Sequence, residues 1–128
     1  MRQLEAIEAR VNEEATLRTR FASAGSHDRI LVDYYDRVRI RVEAEGNQSL
    51  PKEGDKFLHG SVVILLTIGR DGSIKNTEAI RSTSEQLTSH AITVLRRLAS
   101  FEPFPIELAS SADQIVIGAR FNYVGPAN

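Results

Sequence analysis

The chain has 128 residues, with 16 Lys or Arg against 17 Asp or Glu and a net charge of −1. That length suits one domain with a short appendage, and the charge, balanced on either side of Gly46, gives no pull toward nucleic acid or an anionic membrane. There is no cysteine, which excludes disulfides, thiol catalysis and thiolate metal sites, and no run approaches the roughly 18–20 apolar residues that span a bilayer.

Residues 2–20 read as a charged amphipathic helix, because Leu4, Ile7, Val11 and Ala15 recur at spacings of three and four. Two heptads are too few to define a coiled coil. No signal peptide is visible in this alternation of charged and apolar groups, so an exported protein would be represented here by a fragment. Ser23 to Asp28 is a loop by composition. Residues 30–45 carry two patterns. Ile30, Tyr34, Tyr35, Val38 and Val42 share a helical stripe, whereas Val38, Ile40 and Val42 alternate with Arg37, Arg39 and Arg41 as in a strand. The longer stripe predicts a helix, stopped at Gly46. Pro51 then suits the first turn of a short helix.

The stretch from Leu58 to Tyr123 is the most informative. Val62, Ile64, Leu66 and Ile68 fill one face of a strand, and Val63 and Leu65 on the other face predict cover on both sides. Arg70-Asp71-Gly72-Ser73 is a hairpin turn signal, since Asp-Gly accepts positive φ. The second strand, Ile74 to Ile80, is more polar, with Asn76 and Glu78 among its inward candidates, and reads as an edge. Thr83 or Ser84 is placed to cap a helix whose apolar stripe is Leu87, Ala91, Val94, Leu95 and Leu98. Arg96 and Arg97 complement the dipole of its last turn. Pro103 and Pro105 end it, and Phe101 and Phe104 are expected to pack that end onto the sheet. In the third strand Ile115, Ile117, Ala119, Phe121 and Tyr123 alternate with Val116, Gly118, Arg120 and Asn122.

The expected fold is therefore α+β: a three-stranded antiparallel sheet in the order 2-1-3, with one helix on a face, preceded by N-terminal helices. Residues 1–45 form a helical extension and 46–128 the domain. The outer side of the third strand carries no proline between Gln114 and Val124. Such an unblunted edge is covered by the chain's own termini, paired in a homodimer, or used to capture a peptide strand.

Chemistry finds little footing. His27, His59 and His90 show no metal-ligand spacing, serines ahead of a helix are usually caps, and no G-x-S-x-G, G-x-G-x-x-G or P-loop occurs. No enzyme, cofactor or metal site is expected. Arg37, Arg39 and Arg41 with Tyr34 and Tyr35 could contact a nucleic acid, but Asp33, Asp36, Glu43 and Glu45 dilute that charge, and a salt-bridged surface is the plainer reading.

Leu50-Pro51, His59-Gly60-Ser61-Val62, Asp71-Gly72-Ser73-Ile74, Arg81 to Ser84 and Phe101-Glu102-Pro103-Phe104-Pro105, in this order and spacing, resemble the C-terminal domain of the energy transducer TonB over about residues 46–124. Arg18 to Phe21 and Tyr35-Asp36-Arg37 resemble the region that precedes that domain. Leu50 stands where the family has Tyr, and Ser84-Glu85 where it has Ser-Gly. The resemblance implies a periplasmic domain, anchored in the inner membrane through a segment absent from this chain that works with ExbB and ExbD. It implies a partner, the TonB box of outer-membrane receptors for siderophore, haem or cobalamin uptake, added as a strand. Gln114, Val116, Gly118, Arg120 and Asn122 would carry that strand, with Asn47, Gln48 and Ser49 as further receptor contacts. A TolA-like or other envelope interaction module is the alternative, and a small nucleic-acid binder the more distant one.

Overall fold

The computed structural model describes residues 17–46 and 50–124. In chain order these form β1 (Thr19–Ala22), α1 (Arg29–Gly46), β2 (Lys52–Glu53), β3 (Lys56–Phe57), β4 (Gly60–Gly69), β5 (Ile74–Ser82), α2 (Glu85–Leu98), α3 (Ile106–Ala109) and β6 (Gln114–Tyr123).

The apolar run of β4 makes it an inner strand. Val62, Ile64, Leu66 and Ile68 are fully buried, and β5 and β6 pair antiparallel on its two sides. The β4–β5 turn depends on Gly72, whose φ is +85°. Its N–H donates to the Gly69 carbonyl at 2.9 Å, and the Asp71 carboxylate accepts from the Ser73 amide at 3.0 Å. The turn is also docked. Phe101 N–H donates to the Gly72 carbonyl at 2.9 Å and Phe104 N–H to the Arg70 carbonyl at 2.8 Å.

Both long helices share one core with the inward face of the sheet. The α2 helix begins at Ser84, whose hydroxyl accepts from Leu87 N–H, and buries Leu87, Ala91, Val94 and Leu95. Beside it, α1 buries Leu31, Tyr34, Val38 and Val42. Tyr34 is 1 % exposed, meets Phe104 edge-on at 5.2 Å, and donates its hydroxyl proton to the Glu102 carbonyl at 2.7 Å. Phe101 and Phe104 are buried, which closes the helix end onto the core as their apolar area demands.

Several expectations are corrected. The sheet is not three-stranded and antiparallel in the order 2-1-3. It has four strands in the order β1-β6-β4-β5, and β1 runs parallel to β6. The predicted helix over 2–20 fails at its end, where Thr19–Ala22 is strand; its residues 2–16 lie outside the described part. More than one helix packs on the sheet, because α1 contributes buried side chains alongside α2. Pro51 opens no helix. Lys52–Glu53 and Lys56–Phe57 pair as a small hairpin, turned by Gly54 at φ +63°. Among the described residues helices cover only one face of β4, and Val63 and Leu65 on the other are half-buried. Asn76 and Glu78 are exposed; Ile74 and Thr77 are the less exposed positions of β5, because two register breaks shift its alternation.

Candidate functional site

Sheet edges were the expected place for function, and the two edges differ. The outer side of β5 has no neighbour among the described residues. It carries Lys75, Glu78 and Arg81, all exposed, and its ladder breaks register twice. Charged side chains and bulges are how natural sheets discourage further pairing. The outer side of β6 has no such features beyond Arg120.

The register places the main-chain groups of β6. In an antiparallel ladder successive residues direct their N–H and C=O to opposite sides. Gln114 N–H points outward, donating to the Arg18 carbonyl at 3.2 Å. By the period of two, Val116, Gly118, Arg120 and Asn122 face the same way. Ile115, Ile117, Phe121 and Tyr123, of opposite parity, are buried. Five of the expected site residues therefore do share one edge.

That edge is not open along its whole length: cover by the chain's own N-terminal segment, one of the three readings left open, holds for its first half, and the expectation of a free third strand is corrected there. Thr19, Arg20, Phe21 and Ala22 lie against Gln114, Val116 and their neighbours as far as Ile117. Only the outward groups of Arg120 and Asn122 face no described strand, with Gly118 at the point where β1 leaves. Asn47, Gln48 and Ser49 lie outside the described residues.

The open half borders a groove of about 240 Å³. Tyr35, Val38 and Val42 of α1 give it an apolar wall, Arg39 and Glu43 a charged rim, and β6 from Ile117 to Arg120, with Asn122, the opposite side. Arg39 is already paired with Glu43 at 3.1 Å and Asp36 at 3.6 Å. Arg120 is exposed. An extended segment lying on Arg120 and Asn122 would find main-chain partners on one side and apolar surface on the other.

Polar side chains hold β1 in place. The Arg18 guanidinium grips Asp113 with both carboxylate oxygens at 3.2 Å and donates to the Ser110 carbonyl at 2.7 Å. Arg18 N–H adds a 2.8 Å bond to the same carboxylate, and Arg70 binds it from the β4 side. The hydrogen bonds from Arg18 pull the Asp113 carboxyl down to about 2. Further along, Arg20 meets Asp28 and the Ser111 hydroxyl, each at 3.1 Å. The Gln114 side-chain amide donates to the Thr19 hydroxyl at 2.9 Å. Sequence reasoning missed β1, Arg18 and Asp113; the only local signal was the alternation within Arg18-Thr19-Arg20-Phe21, too short to outweigh a helical prefix.

The other candidates find structural roles. Arg37 pairs with Glu102 at 3.2 Å, and Arg41 donates to the Leu98 and Ser100 carbonyls while lying over the Phe101 ring. Tyr34 is buried and cannot stack on a base. His90 Nδ1 meets the Tyr123 hydroxyl at 2.9 Å, and burial raises that phenol to about 12. Among the described residues no three His, Asp or Glu side chains are grouped to hold a metal ion, and no helix is long and apolar enough to cross a membrane.

The geometry defines a small α+β domain whose mixed sheet keeps part of one edge open beside a helix. The family model for the Gram-negative bacterial TonB protein C-terminal matches residues 54–124, and the chain belongs to that family. The matched span runs from the β2–β3 hairpin through β6 and leaves β1 and α1 outside it. No curated protein and no solved structure matches the chain significantly.

Proposed function

We propose that this chain is the periplasmic, non-enzymatic, receptor-engaging part of a TonB-type energy transducer. It binds a short N-terminal segment of an outer-membrane receptor as an added strand on β6 and passes on the pull that drives uptake. A membrane segment working with ExbB and ExbD belongs to the same reading. The observation that carries it is the combination, in a member of this family, of an unblunted edge at Arg120–Asn122 with an apolar groove alongside. Main-chain pairing suits such a task, because it tolerates varied partner sequences while the groove selects modestly. Arg120 and Asn122 together offer about four outward groups, one donor and one acceptor each. At about 0.5–1.5 kcal/mol net per bond, these give weak and reversible attachment.

Arg120→Pro tests the reading. Proline removes one outward donor from the edge and leaves the β4 ladder untouched. Titration of a 15N-labelled chain with receptor N-terminal peptides is expected to shift amides from Gly118 to Tyr123 in the wild type and not in the variant. A wild-type titration that leaves these amides unmoved refutes strand addition here. Recovery from outer-membrane extract of a different envelope protein, and of no receptor, would favour the TolA-like alternative.

A further inference from the structure

We propose that β1 is a resident strand that gives way to the partner, so that the binding surface is the whole outer edge of β6 from Gln114 to Asn122. This rests on the strand-addition reading and names how that site is regulated. Three observations carry it.

The first is position. β1 lies in the row that an added strand would take, in register with Gln114 to Ile117. It then leaves the edge through a turn in which Ser26 N–H donates to the Ser23 carbonyl at 3.2 Å, and the chain enters α1 at Arg29. A partner strand that left β1 in place would be stopped at that exit. Arg120 and Asn122 would be the only outward-facing residues fully left to it, which is short for a strand.

The second is how lightly β1 is held. Ala22 is its one buried residue, and Phe21, which would be the natural anchor, is 72 % exposed. The remaining attachments are polar: main-chain bonds to one neighbour, the Arg18–Asp113 and Arg20–Asp28 pairs, and hydrogen bonds from Arg18 to the Ser110 carbonyl, from Arg20 to Ser111 and from Gln114 to Thr19. None of these attachments buries apolar surface, and elements with few buried apolar contacts open without the rest of the domain.

The third is that the sheet does not need β1. Every residue of β6 is paired with β4 from Gln114–Gly69 to Tyr123–Gly60, and the buried side of β6 packs inward independently of β1. Departure of β1 leaves a complete antiparallel β6-β4-β5 sheet with a continuous open edge of β6 length, 10 residues.

A reversible disulfide tests this in the full chain. Thr19 and Gln114 face each other with side chains in contact at 2.9 Å, and the chain has no other cysteine to compete. The double variant Thr19→Cys, Gln114→Cys is titrated calorimetrically, reduced and oxidised, with synthetic 10-residue peptides copying receptor N-terminal segments, matched to the length of β6. The comparison is between the two redox forms of this one variant: the oxidised form is expected to bind more weakly than the reduced form by about tenfold or more. Equal affinity in both forms overturns displacement while leaving strand addition at Arg120–Asn122 standing. Binding by neither form, nor by the wild type, defeats strand addition itself and this inference with it. Amide exchange of the unliganded wild type gives a second reading that needs neither peptide nor disulfide. Val116 N–H, which faces β1, is expected to exchange at least about tenfold faster than Ile115 and Ile117, which face β4. Protection at Val116 equal to that at Ile117 means that β1 opens only with the whole domain, and refutes the proposal.

Discussion

Replacing Gly72 by alanine tests how the β4–β5 turn is held against the segment after α2. Gly72 has φ +85°, and a Cβ built there lies 2.0 Å from the Phe101 carbonyl oxygen and 2.7 Å from its carbonyl carbon. The left-handed φ alone costs an L-residue about 1–2 kcal/mol. The contact is backbone against backbone, so no rotamer change relieves it. Phe101 must move, and its 2.9 Å bond to the Gly72 carbonyl is strained or lost, which adds about 0.5–1.5 kcal/mol. The expected total is about 1.5–3.5 kcal/mol, before any loosening of the buried Phe101 and Phe104 rings. For a domain of this size that lowers Tm by about 6–14 °C. Gly54→Ala is the control: its φ is +63°, but nothing lies within 4 Å of its Cβ, so it carries the φ cost alone. Urea unfolding of both variants and the wild type, with equal slopes, gives the two costs directly. If the two substitutions cost the same within about 0.5 kcal/mol, the docking of the turn on Phe101 contributes nothing, and the reasoning fails.

Ser84→Ala removes the hydroxyl that accepts from Leu87 N–H, and is expected to cost about 1 kcal/mol by urea unfolding, with the peptide-binding edge unaffected. Burial raises the Tyr34 and Tyr123 phenols to about 12, whereas an unfolded tyrosine ionises near pH 10. The native state keeps these protons longer, so their contribution is complete below about pH 10 and is lost as pH rises through about 12; unfolding midpoints measured across that window, with tyrosinate absorbance, check it. Asp113 shifts the other way, to about 2, because Arg18 hydrogen-bonds its carboxylate. Its contribution is present above the unfolded value of about 3.9 and is lost as pH falls through about 2, so Val116 amide protection should decline only in that acid range. In Asp113→Asn the acid dependence should disappear and Val116 should be less protected than in the wild type above about pH 4, with Ile115 and Ile117 unchanged.

The parts of the fold that the sequence revealed are those whose pattern is set by burial. The run Val62, Ile64, Leu66, Ile68 had to be an inner strand because only full burial rewards it. The stripe from Leu87 to Leu98 had to be a helix, capped by Thr83 or Ser84, of which the structure selects Ser84. In residues 30–45 the two competing patterns were decided by Tyr34, whose burial beside Val38 and Val42 favours the helical stripe over the arginine alternation. What stayed hidden was held by long-range polar contacts. The strand state of Thr19–Ala22 comes from pairing with Gln114–Ile117 and from an Arg18–Asp113 clamp between residues 95 apart in sequence. Its one buried side chain, Ala22, leaves no periodic signal. The same cause limited the site. The parity of Gln114, Val116, Gly118, Arg120 and Asn122 was legible from alternation; cover by the chain's own termini was one of three open readings, but which segment supplies it was not legible, because nothing within the strand itself records its neighbour.

The two edges of this sheet are protected in different ways, and the difference bears on function. On β5 protection is built into the strand, through Lys75, Glu78, Arg81 and two register breaks, and cannot be withdrawn without changing the residues themselves. On β6 four of the five outward residues, Gln114, Val116, Gly118 and Asn122, carry no charge, and Arg120 alone resembles the charged residues of β5. Cover over Gln114 to Ile117 is supplied by a separate piece of chain, β1, bound through main-chain and side-chain polar contacts and one buried alanine. Under the proposed strand addition the partner needs an edge that stays regular, and β6 offers one that β1 covers from Gln114 to Ile117 and that lies open at Arg120 and Asn122.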